Sequence, residues 1–155
     1  MRAIFLGTIT SLMVAGCGLE STGPPFKPVA DVSQLMAKII DPAADVVWDA
    51  VGTIISKEGV EDWYPDTEEK WLIVEGSAMT IAESGNLLML GDRVRDQGLW
   101  MQKAQALVDA GMLAYEAAES RNVDSLFEIG ETVYNACDSC HSVYWVGDED
   151  RGRMR

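Results

Sequence analysis

Histidine occurs once in these 155 residues, at His141, so no site built on two imidazoles can form within one chain. Cationic side chains are also scarce: 12 lysines and arginines stand against 25 aspartates and glutamates, a formal net charge of −13. That balance argues against nucleic acid and anionic lipid head groups as partners. It suits steering toward a basic partner protein, or it serves solubility alone. Beyond the N-terminal stretch no apolar run is long enough to span a bilayer. No strand-like alternation of useful length follows residue 31. A phosphate-binding glycine loop, a catalytic nucleophile and an acid–base dyad are all missing, so no enzyme is expected.

What the chain does have is concentrated near its end, in Cys137-Asp138-Ser139-Cys140-His141. CxxCH is the attachment sequence of c-type haem, in which each thiol adds across a vinyl group and the adjacent imidazole ligates the iron. If the segment is helical, Cys140 stands three residues and His141 four residues beyond Cys137. All three then leave one face of a single turn, as a flat macrocycle requires. A redox dithiol or a structural disulfide is the alternative, but no βαβ pattern accompanies the CxxC. A zinc site needs four protein ligands, and this spot supplies three.

At the other end, Arg2 precedes an uncharged, mostly apolar stretch from Ala3 to Gly16, the layout of an export signal. It closes on Val14-Ala15-Gly16-Cys17, which resembles a bacterial lipobox, where cleavage precedes the cysteine and the thiol is lipidated. The third cysteine is then explained: Cys17 takes lipid while Cys137 and Cys140 take haem. An ordinary signal peptide with an incidental cysteine is the alternative. The expected organisation is a lipoprotein signal at 1–16, a lipidated cysteine with a flexible proline-rich tether at 17–30, one domain at 31–147 and a charged tail at 148–155. The mature protein is expected in the periplasm, held to a membrane by its lipid alone. Gly18 replaces the aspartate associated with inner-membrane retention, which permits the outer membrane.

Helical periods recur through the domain. The first helix starts at Asp31, an N-cap, and places Val32, Leu35, Met36, Ile39 and Ile40 on one stripe. The stripe resumes with Val46, Val47, Ala50, Val51, Ile54 and Ile55; Pro42 between them predicts either a kink or a division into two helices. Gly59 through Pro65 closes this unit. A second helix opens on Asp66-Thr67-Glu68-Glu69, read as a capping box, with Trp71, Val74, Ala78, Ile81, Ala82, Leu88 and Met89 apolar. A third runs from about Asp92 to Arg121, with Leu99, Ala106, Leu107, Ala110, Leu113, Ala114 and Ala117 on one side. Asn122 caps a fourth, which carries Leu126, Ile129, Val133, Ala136, Cys140 and Tyr144 on one face. Short connections favour an all-α, antiparallel up-down-up-down four-helix bundle with haem attached on the last helix.

Four helices with CxxCH late in the last one resemble the class II c-type cytochromes, the cytochrome c′ family, over roughly residues 31–146. Small c-type cytochromes of the ordinary kind carry the motif near the N-terminus. Asp41-Pro42-Ala43-Ala44-Asp45 with Trp48, and Ser84-Gly85-Asn86-Leu87-Leu88-Met89, look like a c′-like proteobacterial branch. After the haem histidine the family pattern is His-x-x-aromatic-basic. Here Tyr144 supplies the aromatic, but Trp145 replaces the basic residue that lies near the proximal face in gas-binding members.

The resemblance implies one haem c, with His141 as proximal ligand and a distal residue from the first helix. Met36 is the candidate sixth ligand, which would suit a one-electron carrier. The alternative is that Met36 or Leu35 forms an apolar distal wall, leaving five-coordinate iron that binds NO or CO. A CxxC thiol redox protein is the third reading. The implied partners are a redox protein, plausibly with a basic surface, or a small gas. A homodimer, common among relatives, would use the first two helices. Tyr134 and Tyr144 could bond a haem propionate or only occupy the bundle rim. Arg93 and Arg95 could pair with a propionate or lie solvated at the surface. Trp48, Trp71 and Trp100 are expected to fill the core, one of them against the haem edge.

Overall fold

The structure, a computed structural model, describes residues 26–144. The signal, Cys17, Trp145 and the charged tail lie outside these residues.

The first helix is continuous but not uniform. α1 (Val32–Leu35) passes through a π-helical stretch (Met36–Ile40) into α2 (Asp41–Asp49), and the residues at both junctions keep right-handed helical dihedrals. Asp31 caps the start as expected. Its carboxylate accepts from the Gln34 backbone at 2.7 Å, while the Gln34 side chain accepts from the Asp31 N–H at 3.1 Å. Pro42 neither ends nor divides the helix. A helical proline crowds the carbonyl four residues back, here that of Lys38, and the wider turn just before it makes room. The Asp41 N–H reaches back five residues, to the Met36 carbonyl.

Ile54 and Ile55 do not extend this helix, as their spacing suggested. They belong to β1 (Gly52–Ile55), which pairs antiparallel with β2 (Val60–Trp63) in the register Gly52–Trp63, Thr53–Asp62, Ile54–Glu61 and Ile55–Val60. The turn between the strands needs Gly59, whose φ of 141° is left-handed territory. The Trp63 indole donates to the Asp49 carbonyl at 3.0 Å, which ties the hairpin to the end of α2.

Three long helices follow. α3 (Glu68–Leu88) begins one residue later than its sequence signal. Thr67, not Asp66, is the cap: its hydroxyl accepts from the Lys70 backbone at 3.3 Å. Asp66 instead pairs with the Lys70 ammonium at 2.6 Å. α4 (Leu99–Glu119) starts well after Asp92, because Gly91–Arg93 forms a separate 3₁₀ turn. The Asp96 carboxylate sets its start by accepting from the backbone of Gly98 and Trp100 at 2.8 and 3.2 Å. Leu99 and Leu113 point outward, and the inner stripe is Trp100, Ala104, Leu107, Ala110, Ala114, Ala117 and Ala118. α5 (Val123–Tyr144) is capped by the Asn122 amide oxygen, which accepts from Ser125 at 3.0 Å. Leu126, Val133 and Ala136 are buried on its inner face, with Cys140 and Tyr144 half-buried beyond them.

Together the protein is mostly helical: four helices plus a two-stranded hairpin. α3 and α4 lie close enough to need glycine at their contact. A Cβ on Gly111 would fall 2.5 Å from the Ala82 backbone nitrogen, and one on Gly85 would fall 2.7 Å from the Ala104 carbonyl. Gly111→Val is therefore expected to lower unfolding stability by about 3 kcal/mol, the upper end of ordinary overpacking, measured as a lower urea midpoint. A parent-like midpoint would contradict the close approach. Among the described residues no helix is long and apolar enough to cross a membrane.

Candidate functional site

A cavity of about 730 Å³ opens between the first helix, α4 and the last turns of α5. That is within the roughly 300–1,000 Å³ of small-molecule and cofactor sites. From α5 it is lined by Cys137, Cys140, His141 and Tyr144, and from α4 by Trp100, Lys103 and Leu107. The first helix contributes Val32, Ser33, Met36, Ala37, Ile40, Asp41, Ala44 and Trp48.

Val32, Met36, Ile40, Ala44 and Trp48 form a row spaced four apart along the whole helix, and the π stretch helps keep that row on one side. Four residues of ordinary α-helix overshoot a full turn by about 40°, so four such steps would rotate the row roughly 160° away. The wider turn through Met36–Ile40 absorbs part of this drift and keeps the row on the cavity side. π turns inside helices recur at functional sites for this kind of re-aiming. Trp48 is fixed against α5, its indole donating to the Gly130 carbonyl at 3.0 Å.

The two motif cysteines are half-buried free thiols, not a disulfide. Burial, aided by the neighbouring Cys140 thiol and the Asp41 carboxylate, pushes the Cys137 thiol up to about 11. Burial also raises Cys140, against the opposing charge of the Lys103 ammonium. Both sulfurs thus stay protonated at neutral pH, the reverse of the lowered pKa that marks reactive dithiols.

Tyr144 is committed elsewhere than to a cavity carboxylate. Its hydroxyl donates to the Asp96 carboxylate, and its ring meets Trp100 edge-on, centroids 5.1 Å apart and planes at 85°. The Asp96 hydrogen bond, with burial second, pushes the phenol up to about 12, and the same bond lowers Asp96. Trp100 is anchored in turn by donating to the Leu88 carbonyl at 2.8 Å. The last turn of α5 is thereby tied to the loop before α4.

Of the two first-helix candidates, only Met36 lines the cavity. Leu35 is 1% exposed and packs in the helical core. Arg93 and Arg95 stand off the cavity, and Arg93 is not solvated: it is 6% exposed, donates to the Ala30 and Leu87 carbonyls at 3.0 and 3.3 Å, and stacks on Phe26. Trp71 fills the core under the Arg121 guanidinium, away from the cavity. Tyr134 reaches the wall but is largely exposed. Trp48 and Trp100, two of the three tryptophans considered for the site, line the cavity, and Lys103 is a wall residue that the sequence reading did not single out. For Lys103 a signal existed, since it lies on the Trp100–Leu107 side of α4.

The donor set fits a covalent haem. Two thiols, one imidazole and one thioether share a largely apolar cavity of suitable volume. Among the described residues, no group of three or more His, Cys, Asp and Glu side chains is arranged to hold a bare metal ion. Compared with known proteins, the chain matches no family model, no curated protein and no solved structure.

Proposed function

We propose that this chain is an exported c-type haem protein of the cytochrome c′ kind that carries one electron at a time. The observation that carries the proposal is that Cys137, Cys140, His141 and Met36 line one cavity. An up-down-up-down bundle is the arrangement proposed for it. Pairings that run in reverse order along neighbouring helices support this: Gly85 with Ala104 and Gly111 with Ala82, then Trp100 with Tyr144.

When bound, haem c supplies a one-electron iron couple. Cys137 and Cys140 would hold it by thioether bonds formed when each thiol adds across a vinyl group, and His141 would supply an imidazole to the iron. Met36 offers a thioether, a soft ligand that favours ferrous iron and raises the potential. Trp100, Leu107, Ile40 and Ala44 keep water from the macrocycle, and the Tyr144–Asp96 bond steadies the turn that carries His141. In the proposed setting Cys17 is lipidated, the domain sits in the periplasm, and the acidic surface steers it to a basic redox partner. The raised thiol pKa values count against a dithiol redox protein.

The test is the optical spectrum of the haem-loaded domain, oxidised and reduced, with and without CO. Sharp low-spin bands indifferent to CO are expected. High-spin bands that shift with CO would replace the electron carrier with a five-coordinate NO- or CO-binding protein, and no haem absorbance would remove both.

A further inference from the structure

Lysine and arginine are scarce in this chain, yet one of them faces the cavity. Lys103 is half-buried on α4 and, among the described residues, is the only lysine or arginine lining the wall. Its neighbours there are mostly apolar, including Trp100, Leu107 and Ile40. Two carboxylates, Asp41 and Asp138, also reach the wall, but both are exposed. Neither pairs with it: among the described residues the ion pairs are Lys70–Asp66, Arg121–Glu68 and Arg121–Glu75. Its aliphatic stem suits this apolar lining, while its ammonium has no carboxylate partner among the described residues. An anion brought into the cavity would supply that partner.

We propose that Lys103 is the cationic partner of the bound cofactor's carboxylate, pairing with a haem propionate. This rests on the haem reading above. Among the described arginines, Arg93 donates to backbone carbonyls, Arg121 pairs with Glu68 and Glu75, and Arg95 does not line the cavity. Lys103 lies within electrostatic reach of Cys140, one of the two attachment points, so its charge acts on the cofactor's own neighbourhood. A cation there disfavours the extra positive charge of ferric iron and so raises the potential.

The experiment is redox titration of the haem-loaded protein at pH 8, where carboxylates are ionised, for the parent, Lys103→Met and Lys103→Arg. Haem is quantified in each protein after denaturation. Lys103→Met should keep its haem but lose roughly tenfold in the reduced-to-oxidised ratio at fixed applied potential, a downward shift of about 59 mV. Lys103→Arg should match the parent within about twofold. Haem loading that fails in Lys103→Met but returns in Lys103→Arg also supports the pairing. A Lys103→Met potential equal to the parent's, or failure of both variants to load haem, overturns it. Absence of haem from the parent overturns the haem reading itself, and the pairing with it.

Discussion

Serine in place of both Cys137 and Cys140 is expected to take covalently held haem from one per chain to none. The hydroxyl does not add to a vinyl group, so acid–acetone extraction of the denatured double variant should strip all of its haem while leaving the parent's in place. Each single variant keeps one thioether bond and should resist extraction. The fold should survive the change. Both side chains are only half-buried, and serine nearly matches cysteine in volume, so the cost is about 1–2 kcal/mol for placing a hydroxyl near apolar wall. Circular dichroism provides that control. Haem that stays bound to the double variant after extraction would show that the thiols are not its attachment points.

Met36→Ala should have the largest spectroscopic effect of any change on the first helix. Removing the thioether leaves the sixth position open, so a spectrum indifferent to CO should become one that responds to it in essentially every molecule. The potential should fall together with the spin change, by about 59 mV for each tenfold loss of ferrous preference. Leu35→Ala is the matched control. Leu35 is 1% exposed in the core and does not line the cavity, so truncation should cost about 2–5 kcal/mol of stability without altering CO response. If Met36→Ala leaves the spectrum and the CO response as they were in the parent, Met36 packs without ligating.

The four helices were legible because each carried a local signal that structure kept: the Asp31 cap, the buried stripe from Trp71 to Leu88, that from Leu107 to Ala117, and the Asn122 cap with the stripe from Leu126 to Ala136. The hairpin was not. Ile54 and Ile55 fall at helical spacing from Val47 and Val51, and the competing evidence was a β-branched run, Thr53-Ile54-Ile55, closed by Gly59. The Trp63 bond to Asp49 ties the hairpin to the helix before it, a contact between separate elements that no period reveals. The start of α4 was misjudged for a related reason, since Asp96 caps it through a loop that also takes the Tyr144 hydrogen bond.

The candidate site divides in the same way. The placement of its donor residues was legible, because CxxCH on a helix puts two thiols and an imidazole on one turn, and all three line the cavity. Its walls were legible in part. One of three tryptophans was expected at the site, and Trp48 and Trp100 both line the cavity, whereas Lys103 was not singled out although it lies on the Trp100–Leu107 side of α4. The π stretch that keeps Met36 in the row answers to Pro42, six residues further on. Leu35 and Met36 are adjacent in sequence and equally apolar, and only the rotation of the helix separates a core residue from a wall residue.

The most direct measurement is the intact mass of the protein under denaturing conditions, after expression with a c-type haem-attachment system. A chain heavier than its polypeptide by one haem, with the extra mass on the peptide containing Cys137 and Cys140, is the expected result. A mass equal to the bare polypeptide would contradict the haem site.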